Sequence, residues 1–360
     1  MLNSIARLRG RDSVGRRSLG GRENMHRRDF LAGAAALCGA GLVRPARAET
    51  GSVSVARGFA IPHLPVMVME HQSLFRKHLD AAGLASVATE WVTLGSGSVM
   101  NDALISGNLS FATGGPPPML TLWSRTKGTP MEVRGVCNQA IMPMYLNTKN
   151  PGVRSIEDFT EKDRIAVSAI KVSIQAIIVQ MAAAQKFGMD AYDRLDELTV
   201  GMNAVDATTA LRSDQSPVTA NVSLPPFQYQ ELKLPNIHKV LSSYDVVGEP
   251  HTFSMVWTTR QFQQQNPGIY KAFLAAITEA TDLIRSDKPK AAQIYLDVTG
   301  AKDSLEETLA LLNNPEIEFT TVPKGTFRLA EFMHSIGTLE ADAESWKDYF
   351  FEDIHSLPGS

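Results

Sequence analysis

Twice along this chain the same order of pieces recurs: a short β-like run, a turn rich in glycine, serine or proline, then a stretch with helical spacing. Few architectures accommodate that alternation. Strands joined by helices pair in parallel and need cover on both sheet faces, so the expectation is an α/β fold. In the first stretch Val53 and Val55 alternate with serine in a strand ending at Phe59. Pro62 and Pro65 then open one helix over 66–82, which Gly83 stops. Further strands are expected over 87–93, 109–113 and 131–136, with a helix carrying Met100, Leu104 and Ile105 on one face. The second stretch begins after Asn150-Pro151-Gly152. There Ser155 with Asp158 predicts a capped turn, 164–167 a strand, and 173–187 a helix closed by Gly188. Strands over 218–222, 237–241 and 252–257 follow, then helices over 269–285, 288–298, 305–312 and 327–336. No short-period repeat interrupts the pattern of two α/β units followed by helices.

Ahead of these units lies a segment of another kind. Arg27-Arg28-Asp29-Phe30-Leu31 precedes an apolar run ending at Val43, and Ala46-Arg47-Ala48 supplies the small-x-small pattern that a signal peptidase cuts. The run falls short of the roughly 20 apolar residues a membrane-spanning helix needs. Paired arginines before Phe-Leu resemble a twin-arginine export signal, which carries folded proteins across the inner membrane. Residues 1–48 are therefore read as a leader with its signal, cleaved near Ala48, with the protein working in the periplasm. Met25 stands directly before the signal and is favoured over Met1 as the start. Cys38 does not mark a lipid anchor, because Leu37 occupies a position that lipid attachment reserves for a small residue.

Residues 1–48 hold ten arginines and three acids, so the remainder moves from a formal charge of −3 to −10. An acidic protein without a basic tract is not expected to partner nucleic acid or an anionic membrane surface. Only Cys137 remains after residue 48, which excludes an intramolecular disulfide or a cysteine-based metal site in that part. Of the eight histidines no two have metal-ligand spacing, so neither a metal nor a cofactor is expected. Cys137 ends an apolar strand and reads as a small buried side chain in preference to a nucleophile. Trp257 reads as core in preference to cleft lining.

The candidate site residues sit where strands hand over to helices. Gly95, Ser96, Gly97 and Ser98 lie before a helix start, where unpaired N–H groups and the helix dipole favour an anionic or polar group. A plain tight turn capped by Ser98 is an equal reading of the same residues. No Gly-Lys-Ser/Thr follows, so this is not a nucleotide P-loop. Thr113, Gly114 and Gly115 end the next strand in the same way; Ser173 and Asn221 hold matching places in the second unit. Ligands of open α/β sheets sit outside the carboxyl ends of strands, so these loops, with His63 nearby, are expected to face one cleft between two units. For His63 a solvated loop position is the alternative.

The order of these pieces resembles the substrate-binding proteins of ABC importers for nitrate, sulfonates and taurine, including members like those for the thiamine pyrimidine precursor. Residues 102–112, reading Asp-Ala-Leu-Ile-Ser-Gly-Asn-Leu-Ser-Phe-Ala, are similar to the family's Ala-Leu-x-x-Gly-x-x-Asp-Phe-Ala segment. Residues 151–159 with 164–167 resemble its entry into a second lobe, and 266–273 a helix near the return. Ser110 and Thr219 stand where the family pattern has aspartates. The resemblance implies a type II periplasmic binding protein fold: two α/β lobes around a ligand cleft, with C-terminal helices. Lobe 1 would be 49–145 with 250–360, and lobe 2 would be 146–249. It implies an extracytoplasmic, monomeric solute-binding component that takes a small anion-like solute, delivers it to a membrane permease and does no catalysis. The alternatives are an enzyme of the same fold, such as a sulfinate desulfinase-like hydrolase using Cys137, or a ligand-sensing input protein.

Overall fold

The computed structural model describes residues 49–360 except 59, 95 and 96; the twin-arginine segment and its cleavage site lie outside the described residues. The described strands are β1 (Ser52–Arg57), β2 (Ala88–Thr93), β3 (Ala112–Gly114), β4 (Val133–Ile141), β5 (Tyr145–Thr148), β6 (Ile165–Val167), β7 (Thr199–Gly201), β8 (Ala220–Ser223), β9 (His238–Ser242), β10 (Thr252–Thr259) and β11 (Glu318–Phe319). β1 pairs with β2 in parallel, and a second group runs in the order β11-β4-β10-β3. The two groups meet at Phe111, which bridges Val55 and accepts the Ala56 N–H at 2.8 Å. The other sheet has the order β7-β6-β8-β5-β9, with β6 parallel to both neighbours and β5 antiparallel to both of its own.

This topology makes the chain cross between the two sheet systems twice. It leaves β4 through Met142–Met144 into β5, and it returns from β9 into β10, which lies antiparallel against β4. The crossings are tied to each other. Ser243 donates its N–H to Met144 O at 2.8 Å, and Met144 returns its own to Ser243 Oγ at 2.9 Å. Beside them His251, fully buried, lies 3.0 Å from Thr252 O through Nδ1 and 2.8 Å from Ser243 Oγ through Nε2. Because a carbonyl can only accept, Nδ1 carries the proton and Nε2 takes the hydroxyl of Ser243.

Several sequence expectations hold and several need correction. The Ser155–Asp158 capping box forms, Ser173 caps the Ile174–Phe187 helix by accepting from Ala176 N, and Gly188 ends that helix. The single helix expected over 66–82 is two, Leu64–His71 and Leu74–Ala81, broken at Ser73, whose φ of 52° is left-handed. Tertiary packing accompanies the break: the second piece lies on the Pro267–Ser286 helix, with Phe75 edge-on to Phe273 at 5.4 Å. The strand expected to stop at 136 runs on to Ile141 through buried Asn138 and Gln139, and β5, β7 and β11 are additional.

Burial pushes the pKa of His251 from 6.5 down to about 4, against a smaller opposite effect of its bond to the Thr252 carbonyl. The unfolded chain therefore binds this proton first, and stability is lost as pH falls from 6.5 toward 4, by about 3 kcal/mol in all. His251→Gln keeps one donor and one acceptor without titrating in that range. Urea unfolding at pH 7, 6 and 5 should show a visibly flatter pH dependence in the variant; equal slopes would contradict this account of the crossing.

Candidate ligand-binding site

A cavity of about 1230 Å³ opens where the strands of both sheet systems end. One wall is built from the carboxyl ends of β1 to β3 and the turns after them, the facing wall from the starts of the helices that follow β6, β7 and β8. A third side comes from the C-terminal helices, through Tyr295 and residues 298–303. Of the residues singled out from sequence, His63, Gly97, Thr113, Gly114, Gly115 and Ser173 all line it. Gly95 and Ser96 lie outside the described residues, as does the side chain of Ser98. Asn221 sits one layer back, buried in β8, where its Nδ2 donates to Glu231 Oε1 at 2.7 Å.

The glycines let backbone lie directly on bulky neighbours. A Cβ on Gly114 would come 3.0 Å from Cη2 of Trp257, and one on Gly97 would come 3.0 Å from Cγ of Pro118. Trp257 is itself fully buried, and its Nε1–H donates to Asn101 Oδ1 at 3.0 Å. Asn101 in turn donates to the Pro118 carbonyl at 2.8 Å, so one buried indole holds the Gly97–Ile105 helix and the Pro116–Thr126 helix in place. Gly115 carries the contact between the two walls, since a Cβ there would be 3.2 Å from Cγ2 of Ile174.

The polar groups have specific states. His63 packs its half-buried ring over Gly58, so closely that a Cβ on Gly58 would fall 2.3 Å from the ring. Burial pushes its pKa down to about 4, which keeps the imidazole neutral at ordinary pH. Arg57, which sequence reasoning missed, reaches Glu70 at 2.5 Å and Thr93 Oγ1 at 3.1 Å. Its place at the end of β1 matched the strand-end rule that selected the other loops. Ser173 spends its hydroxyl on the helix, donating to Ala169 O at 2.7 Å while accepting from Ala176 N. Lys233 is paired with Glu307 at 2.8 Å, and Arg212 and Lys302 are exposed at the rim. Among the described residues no group of three or more His, Cys, Asp or Glu is placed to hold a metal, and no helix is long and apolar enough to cross a membrane.

Residues 46–298, well over half of the chain, match the NMT1-like family. The chain belongs to the NMT1-like family. No curated protein matches by sequence. Among solved structures this NMT1-like protein is similar to the alkanesulfonate-binding protein SsuA of Xanthomonas axonopodis pv. citri, bound to MOPS: 14% identity, 82% of this chain, 96% of that one, TM-score 0.62. It is also similar to the periplasmic nitrate-binding protein NrtA of Synechocystis, at 12% identity, 83% and 85% coverage and TM-score 0.63. A third is a Candida albicans protein described as having the generic periplasmic binding protein fold, at 13% identity, 84% and 96% coverage and TM-score 0.62. At such identities the likeness establishes the fold, a periplasmic binding protein fold of two α/β lobes.

Cys137 stands apart from the cavity lining. It is fully buried in β4, and burial pushes its thiol up to about 12, so thiolate is scarce at neutral pH. A protein spanning residues 49–360 should react with a thiol-specific disulfide reagent at pH 8 only after denaturation. Rapid stoichiometric labelling of the native protein would show that this thiol is reachable and activated.

Proposed function

We propose that this NMT1-like protein is the solute-binding component of an ABC importer, working outside the cytoplasm and handing its solute to a membrane permease. One observation carries the reading: the cavity lies between two lobes joined by two adjacent chain crossings, and both lobes offer it their strand ends and helix starts. Such a site encloses a solute by hinge closure, with 49–145 and 250–360 as one moving body and 146–249 as the other. The fold relatives, one named for alkanesulfonates and one for nitrate, support the same reading; small anions of the sulfonate, nitrate and taurine class are the first candidate solutes to test. A same-fold hydrolase built on Cys137 has less support, because that thiol lies in the core away from the cavity.

Purified residues 49–360 should melt higher in the presence of a true solute. At a hundredfold excess over Kd the gain is about 2.7 kcal/mol, a rise of several degrees in Tm. Sulfonates, nitrate, carboxylates and amines form the first panel, with mass spectrometry of the recovered solute. A solute that raises Tm and returns unaltered agrees with import; one that returns cleaved, with turnover lost in Cys137→Ala, would favour the hydrolase.

Export is the second part of the reading, resting on Arg27-Arg28 ahead of the apolar run. Replacing both with lysine should strongly reduce the periplasmic form in fractionated cells. An undiminished periplasmic pool would remove the twin-arginine assignment.

A further inference from the structure

One side of the cleft is built by a stretch that follows both α/β units. Residues 298–303 and Glu307 line the cavity there, as do Gln230 and Lys233 of lobe 2. The stretch is fixed to lobe 1 at both ends. Ahead of it, the Pro267–Ser286 helix stacks Phe273 on Phe111 at 3.9 Å, and the Lys288–Thr299 helix buries Ala291, Ala292, Ile294 and Tyr295. Beyond it, β11 pairs with β4. Between these anchors lies the Leu305–Leu312 helix, tied back by Lys288 Nζ, which donates to Asn313 Oδ1 at 2.9 Å.

The polar side chains of this stretch nevertheless bond to lobe 2. Gln230 Nε2 donates to Asp303 Oδ1 at 2.7 Å, and Lys233 Nζ to Glu307 Oε1 at 2.8 Å. The other oxygen of Glu307 accepts from Ser304 N at 2.9 Å, so one carboxylate caps its own helix and holds the facing lobe. The Phe227–Leu232 helix, which carries Gln230, is pinned in turn to β5. Its Gln228 Oε1 accepts from Tyr145 N at 3.1 Å, and Glu231 Oε2 accepts from Asn147 Nδ2 at 2.8 Å. Further along, Glu316 accepts from Tyr145 Oη at 2.6 Å and, through its carbonyl, from Tyr244 Oη at 2.8 Å. Tyr145 and Tyr244 directly follow Met144 and Ser243, which tie the two crossings together. A hinge at the crossings therefore moves Glu316 little. The Leu305–Leu312 helix, about 12 Å long, separates Glu316 from Asp303, where the same rotation draws the partners apart.

Resting on the solute-binding reading above, we infer that Asp303 and Glu307 latch Gln230 and Lys233 across the cleft, made when the lobes are together and parted when lobe 2 swings away. These four are positioning residues: they bias the lobes toward closure at the edge of the cavity they line. The ion pair suits a reversible catch, because 64% of the Lys233 side chain and 49% of the Glu307 side chain are open to solvent. Such a pair exchanges readily for water and is weakened by salt, so it favours closure without locking a solute in.

Spin labels on Leu305→Cys and Asn236→Cys, both exposed positions, test this in residues 49–360 without any solute, since the native Cys137 is buried. The distance between them is measured with the latch intact and with Gln230→Ala and Lys233→Ala combined. The intact protein should populate a short separation, and the double variant should shift the ratio of short to long separations roughly tenfold toward the long one. Raising sodium chloride from about 0.05 M to about 1 M should move the intact protein the same way and the double variant much less. Circular dichroism checks the fold. If the double variant is misfolded, Glu307→Gln carries the comparison, because glutamine keeps the capping box while losing the charge that faces Lys233. Equal distributions with and without the latch residues, or an intact protein indifferent to salt, would overturn the inference. No solute enters this measurement, so a solute panel without a binder would contradict the importer reading and leave the latch result standing.

Discussion

The antiparallel pairing of β4 with β10 is the constraint on which the rest of this structure depends. Every residue of β10 is buried, as is nearly all of β4, and the two strands hold β3 on one side and β11 on the other. Both chain crossings leave from the same end of this pair, which is why Met144 and Ser243 come close enough to exchange hydrogen bonds. Each such bond contributes about 1 kcal/mol net, so the pin is modest, but its position decides how the second lobe hangs from the first. In the closure proposed above, the two tied crossings at residues 142–144 and 243–251 would serve as the axis.

Much of this architecture was legible in the sequence because it is written locally. Ser155 with Asp158, Ser173 before its helix and Gly188 after it are short-range signals, and each marks an element boundary the structure reproduces. What was illegible depends on distant partners. β5 is four residues long with Asn147 and Thr148 buried, and it reads as polar loop until β8 and β9 are seen on either side. The polar pair Asn138-Gln139 hides the second half of β4 for the same reason: Asn138 Nδ2 is satisfied by Thr320 O and Gln139 Nε2 by Ser254 Oγ, both more than a hundred residues away. The turn at Ser73 serves a helix two hundred residues further on.

The cleft divides the same way. The rule that ligands meet the carboxyl ends of strands led to His63, Gly97, Thr113–Gly115 and Ser173 without any coordinates, and all of these face the cavity. The rule locates backbone and does not report what side chains are already doing. Ser173 lies at the cavity with its hydroxyl spent on capping, Asn221 serves Glu231 one layer behind, and Arg57 is matched by a carboxylate from the following helix. The wall contributed by residues 295–303 had no sequence signal at all, because those helices look like ordinary amphipathic cover. An NMT1-like chain thus keeps the fold of an alkanesulfonate-binding and a nitrate-binding protein at 12–14% identity.

The central claim is that two lobes close on a solute about the paired crossings, and an interlobe distance tests it most directly. Ile105 and Met189 are exposed and fall in the two segments proposed to move against each other, while the native Cys137 is buried. Spin labels on Ile105→Cys and Met189→Cys would report their separation by pulsed dipolar spectroscopy, with and without a solute that raises Tm. The account predicts a distance distribution that shifts and narrows at saturating solute. A distribution unchanged at full occupancy would contradict closure about this hinge.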